Sequence, residues 1–234
     1  MRPLGHDAAR EGRDVSVGSI DERLLDAWRR FKQRSTNSTN DISLSAYACE
    51  LLEPLQPSLM QLHQLMLYLS QDASDHVPFG GYAPGNFFSA GYAYVPEREI
   101  SYDFDTDGVK GLGKRLEGKH FIVNGTLGST VGHRLIGSLT INGRAGPYTG
   151  LAMIGTLTLN GDGGFRPGSD MIGYIANHSG RALEQERNVL GYDGTWWNIP
   201  AGKRKEFLHA ITNPNHLPYQ RLYDRLVATY GGHR

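Results

Sequence analysis

The stretch Gly143–Gly173, GRAGPYTGLAMIGTLTLNGDGGFRPGSDMIG, holds a near copy of itself, and its spacing decides the fold. Three glycine registers step by 18 residues: Gly128, Gly146, Gly164; Gly132, Gly150, Gly168; and Gly137, Gly155, Gly173. The pairs Asn124-Gly125, Asn142-Gly143 and Asn160-Gly161 keep the step, as do Leu135, Met153, Met171 and Ile136, Ile154, Ile172. Self-similarity at a short fixed period marks a repeat architecture, in which each unit stacks on the next because it cannot bury its own apolar face. Leu139, Ile141 and Leu157, Leu159 alternate with Thr140 and Thr158, and Phe121 and Val123 hold the same places one coil earlier. That is the period of a strand with one buried face.

The expected fold is α+β, mainly β. A short, right-handed parallel β-helix of about four 18-residue coils over residues 111–180 is capped by amino- and carboxy-terminal helices. Each Asn-Gly pair suits a tight turn with positive φ, and Gly146 is expected in such a turn too. Coils stacked about 4.8 Å apart would align asparagines at the turn, leucine or methionine at a corner and isoleucine inside. The run Gly113–Gly125 has one residue more than Gly132–Gly143, which a bulge should absorb. The repeat fails at Asn177, where an inward apolar residue is due. Open coil ends expose strand edges and core, so the flanks should cap them.

These residues resemble the GXGXG domain, the glycine-patterned β-helix that forms one of the subunits of formylmethanofuran dehydrogenase and the carboxy-terminal part of the large glutamate synthase subunit. Gly143, Ala145, Gly146, Gly150, Met153 and Gly155 match its texture, as do Gly161, Gly163, Gly164, Gly168, Met171 and Gly173. The chain departs from it with Ile-Gly after the methionine, where the family has a glycine pair, and with fewer coils. The resemblance covers residues 111–180 only. It implies a non-catalytic scaffold or assembly subunit in a larger complex of redox, one-carbon or amidotransfer type, with a protein partner. In that family cofactors and catalytic residues sit in partner subunits or domains, so no catalytic residue carries over.

Outside the repeat, residues 1–18 read as a polar arm and 19–72 as a helical segment. Ser19 with Glu22 suggests a capping box opening a helix over 20–33 with Leu24, Leu25, Trp28 and Phe31 on one face. Further helices are expected over 43–53 and from Pro57, the latter carrying Leu59, Leu62, Leu65, Met66 and Leu69. Residues 73–110 read as a glycine-aromatic connector, a loop leading into a short strand or two, its aromatics packing the end of the repeat core or lining a ligand site. Residues 181–234 read as a helical cap: a helix over 181–190, a loop over 191–202 holding Trp196 and Trp197, and helices over 203–212 and 217–230.

Equal counts of 24 basic and 24 acidic residues give no net charge to draw the chain to nucleic acid or to an anionic membrane. The single cysteine, Cys49, allows no intrachain disulfide and no multi-cysteine metal site, which favours a reducing, cytoplasmic setting. The first residues, MRPLGHDAAREGRD, lack the hydrophobic stretch of a signal peptide. Thirty glycines in 234 residues are the compositional anomaly.

Candidate chemistry is sparse. Asp103, Asp105 and Asp107, followed by Gly108, begin like a calcium loop, but Lys114 stands where a bidentate glutamate should close it. His120 and His133 flank the first turn of the repeat and His178 ends it, at different registers. Lys203-Arg204-Lys205 reads as a solvated helix start. There is no nucleophile elbow, P-loop or dinucleotide fingerprint, and no cofactor is expected. The competing expectation is an acyltransferase-like enzyme on a left-handed β-helix, with His120 or His133 catalytic beside the aromatic segment 79–94. The sixth-place aliphatic rule of that fold is met only at Ile136, Ile154 and Ile172; Asn142, Tyr148, Asn160 and Arg166 break it.

Overall fold

The computed structural model describes residues 20–35, 41–71, 83–103, 105, 109–178, 187–192, 195–198 and 219–230. Its centre is a parallel β-solenoid of about four turns with flanking helices. One strand per coil enters a sheet ordered β1 (Glu99–Tyr102), β2 (Glu117–Val123), β3 (Ile136–Ile141), β4 (Ile154–Leu159), β5 (Ile172–Asn177), β6 (Arg187–Tyr192) and β7 (Thr195–Asn198). Neighbours from β1 to β5 run parallel. Ile136, Ile154 and Ile172 stand opposite one another, as do Leu139, Leu157 and Ile175. The inward side chains Phe121, Val123, Leu139, Ile141, Leu157 and Leu159 are buried, and Leu135, Met153 and Met171 form the expected corner column. The extra residue of the first coil is absorbed as expected: register shifts between Glu117 and Lys119, and Gly118, exposed at φ +66°, takes the bulge.

The expected left-handed Asn-Gly turns are not found. None of Asn124, Gly125, Asn142, Gly143, Asn160 and Gly161 has positive φ, and neither does Gly146. These glycines are required by stacking instead. A Cβ on Gly143 would lie 2.2 Å from the Gly125 carbonyl oxygen, and one on Gly146 would lie 2.8 Å from the Ser129 nitrogen. The left-handed backbone falls on the opposite bend, at Thr130, Tyr148 and Arg166 and at Arg134, Ala152 and Asp170, all with φ between 52° and 60°.

The amino-terminal cap consists of α1 (Glu22–Ser35), α2 (Asp41–Leu52), α3 (Leu59–Gln71) and α4 (Ala83–Tyr94). Asp21 caps α1: its backbone carbonyl accepts from Leu24 and Leu25 and its carboxylate from the Arg23 N–H, each at 3.0 Å. The expected cap Ser19 lies outside the described residues. A reciprocal box opens α3, where the Gln61 N–H donates to Ser58 Oγ (3.2 Å) and the Ser58 N–H to Gln61 Oε1 (2.8 Å). Gln61 Nε2 also reaches Asp21 Oδ2 at 3.1 Å, tying the starts of α1 and α3 together.

Helix α4 corrects the connector reading, since APGNFFSAGYAY was expected as a loop. Glycine and aromatic residues are poor helix formers, and no polar face marks the period because residues 84–92 are all buried. Tertiary contact supplies what propensity does not. Phe87 and Phe88 pack on Trp28, with ring centroids 5.2 and 6.0 Å apart, and Tyr92 meets Phe121 of the first coil at 6.0 Å. The expectation that the aromatics pack the end of the repeat core holds for Tyr92. Lys119 Nζ finishes the helix by donating to the carbonyls of Val95 and of Glu97, the latter at 2.8 Å. Desolvation lowers the Lys119 pKa, with Glu97 pulling the other way.

At the other end, within the span 181–202 expected as a helix and a loop, the described residues 187–192 and 195–198 form strands. β6 pairs antiparallel with β5, and β7 with β6. Trp196 and Trp197 lie on β7. The unpaired edge of the last coil is a template for another strand, and edge pairing overrides a local helical pattern. Asn177, where the repeat was expected to fail, still pairs with Leu159 and is buried. The last helix appears as expected, as α5 (Tyr219–Tyr230) with Leu222 and Leu226 buried. The helix over 203–212, with Lys203, Arg204 and Lys205, lies outside the described residues.

Candidate functional site

Residues opposite one another on parallel strands share a face, so the outward side of β1–β5 is a lattice of columns. The first column reads Glu99, His120, Ser138, Thr156, Tyr174, and the second Ser101, Ile122, Thr140, Thr158, Ala176. The third lies just past the strands, where the N–H groups of Asn124, Asn142, Asn160 and His178 bond the carbonyls of Tyr102, Val123, Ile141 and Leu159 at 2.7–2.8 Å. Its side chains form the expected ladder: Asn160 Nδ2 donates to Asn142 Oδ1 at 2.8 Å, and Asn142 Nδ2 to Asn124 Oδ1 at 2.7 Å. Asn124 Nδ2 donates in turn to the Asp103 carboxylate. Every carboxamide dipole points the same way, with the donor end toward the anion, the favourable order for a polarised chain.

That ladder accounts for Asp103, which also accepts from Ser101 Oγ at 3.0 Å. Asp105 is exposed, and Asp107 lies outside the described residues. Among the described residues no three His, Cys, Asp or Glu side chains gather as a metal site would require. The histidines are not brought together. His120 is exposed on β2, with Nδ1 in hydrogen-bond contact with Ser138 Oγ. His133 sits half-buried in the bend beyond, its backbone carbonyl accepting from the Arg115 N–H at 3.0 Å, and His178 ends the asparagine column. The 18-residue step had set Ser138 opposite His120, as the register does, but Glu99 was not singled out from sequence, because only the pairing of β1 with β2 sets it beside His120.

A second surface lies on the left-handed bend. Tyr148 and Phe165 are exposed at 38% and 61%, and their rings meet edge to face at 6.3 Å. The Arg166 guanidinium lies over the Phe165 ring at 5.1 Å from its centroid. Tyr148 at φ 60° and Arg166 at φ 52° hold a conformation that costs a side-chain-bearing residue about 1–2 kcal/mol. The same conformation at Thr130, one coil earlier, makes it the geometry of the repeat's bend.

Behind the first coil, His63 is packed edge-on to Tyr92 and Tyr102, with centroids at 5.9 and 6.4 Å. Burial lowers its pKa from 6.5 to about 4, against an opposing pull from Asp103. Between those values the unfolded chain takes up a proton that the folded chain refuses, so stability is full above pH 6.5 and falls as the pH drops toward 4. The expected loss is on the order of 2–3 kcal/mol. Urea midpoints across this range should flatten in His63→Leu, and an unchanged slope would refute the assignment. Tyr92 is fully buried, and its hydroxyl finds no hydrogen-bond partner among the described residues. Tyr92→Phe is therefore expected to stabilise the chain by about 1 kcal/mol, read as a higher melting temperature. Comparison with known protein-family models, with characterised proteins and with solved structures finds no match for this chain.

Proposed function

We propose that the chain is a scaffold or assembly subunit whose solenoid presents a rigid surface to a partner protein. The observation that carries this is the Tyr148, Phe165 and Arg166 corner, two exposed rings meeting edge to face with a guanidinium over one of them. Tyrosine and arginine are the residue types on which interface energy concentrates, and a rigid bend presents them with little entropy left to lose. The left-handed bend also carries Arg134, Arg166 and Asp170, while β3 and β4 carry no charge, so polar recognition also favours this side. The resemblance of the glycine repeat to GXGXG domains supports the same role, with a redox, one-carbon or amidotransfer complex as its setting. The single half-buried Cys49 supports a cytoplasmic location.

The test is a tagged pull-down from the native cell with mass spectrometry, followed by light scattering of the eluate. One stoichiometric partner is expected on the wild-type chain, lost in a Phe165→Ala, Arg166→Ala double variant of unchanged melting temperature. A lone monomer would refute the proposal, and a homotrimer would favour the acyltransferase-like alternative.

A further inference from the structure

The first outward column of the sheet sets a carboxylate, an imidazole and a hydroxyl in one row. Glu99 stands opposite His120, and His120 opposite Ser138. Adjacent strands are about 4.8 Å apart, a step that the His120 and Ser138 side chains span. His120 Nδ1 touches Ser138 Oγ; His120 is exposed and Ser138 half-buried, so a solute reaches both. A serine hydroxyl is a weak nucleophile until a neighbouring base takes its proton, and the base works best when a third group orients it.

We infer that Ser138 is a base-activated nucleophile that accepts an acyl group from an activated ester or thioester. His120 is the base, and Glu99, next to His120 in the column by strand register, is a positioning residue. In the step, Ser138 Oγ bonds the acyl carbon and the bond from that carbon to its leaving group breaks. The hydroxyl proton passes to His120 Nδ1 and then to the departing phenolate or thiolate, with no change of oxidation state. The products are O-acyl-Ser138 and a free phenol or thiol. Backbone N–H groups of a sheet lie along the ladder rather than out of its face, so no backbone oxyanion donor waits at Ser138. This restricts the donors to those with good leaving groups and leaves the acyl-serine long-lived. The inference does not depend on the scaffold proposal, because it concerns a different face of the solenoid.

The test is to incubate the full chain with p-nitrophenyl acetate, follow phenolate release, and locate the acetyl group by peptide mass spectrometry. A burst stoichiometric with protein and acetylation at Ser138 are expected. Ser138→Ala should abolish the burst, and His120→Gln should slow acetylation of Ser138 by about 100-fold or more. Glu99→Gln should slow it several-fold, with partial recovery in Glu99→Asp. Unchanged melting temperatures exclude loss of fold as the cause. Acetyl groups confined to lysines, or Ser138 acetylated at the wild-type rate in His120→Gln, would overturn the inference. Equal rates in Glu99→Gln and wild type would remove the role given to Glu99.

Discussion

Gly155→Ala is expected to remove most of the folding stability of the chain. Gly155 is buried in the column Gly137, Gly155, Gly173 at φ +142°, and a Cβ there would stand 1.8 Å from the Gly137 carbonyl oxygen and 2.8 Å from its carbon. That oxygen belongs to the neighbouring coil's backbone and cannot swing aside as a side chain would. Relief requires the coils to part, which breaks ladder bonds between β3 and β4 and opens the apolar column behind them. The loss should be about 4 kcal/mol or more, against a total of roughly 5–15 kcal/mol for a typical domain. Gly118→Ala is the control. Gly118 has φ +66°, but a Cβ there meets nothing within 4 Å, so only the left-handed strain of about 1–2 kcal/mol applies. Urea unfolding of the two variants measures the difference, and equal losses would refute the stacking of coil on coil.

Gly85→Ala should strike the joint between helix and solenoid with nearly the same force. A Cβ on Gly85 would lie 1.9 Å from the Lys110 carbonyl oxygen and 2.7 Å from the Gly111 carbonyl carbon. One turn on, Ser89 Oγ donates to the Gly85 carbonyl at 2.5 Å and accepts from the Lys114 N–H at 3.0 Å, so α4 is seated backbone to backbone on the first coil. Lifting it exposes Tyr92 and Phe121, both fully buried. A loss of about 3–5 kcal/mol is expected. Hydrogen exchange should show α4 amides losing protection before those of β3 and β4. Gly91 offers the contrast, since its Cβ would meet the Leu62 side chain at 2.6 Å, a flexible neighbour that can turn away. Wild-type melting in Gly85→Ala would show that α4 is not seated as described.

The same two positions show where sequence reading reaches and where it stops. The glycine period located the coils, the inward strand residues, the asparagine ladder and the bulge, because each repeats along the chain or interrupts a repeat. It did not reveal why Gly143 and Gly146 are glycines, since close approach by another coil and positive φ select the same residue type. Helix α4 and the hairpin of β6 and β7 were misread for a related reason. Their conformations are set by what they cover, the first coil and the edge of β5, rather than by local propensity.

The candidate site divides in the same way. Sequence alone singled out His120 and set Ser138 opposite it, 18 residues on, but left Glu99, 21 residues before it, unremarked. An interval of 21 residues is not the repeat period, and only the pairing of β1 with β2 sets Glu99 beside His120. The sequence by itself determined a stacked solenoid, because a period of 18 residues dictates which side chains recur inside. Only the tertiary structure decided what closes its two ends and which side chain of β1 joins each outer column. Those contacts join residues with no shared period, and their partners are chosen by packing and register.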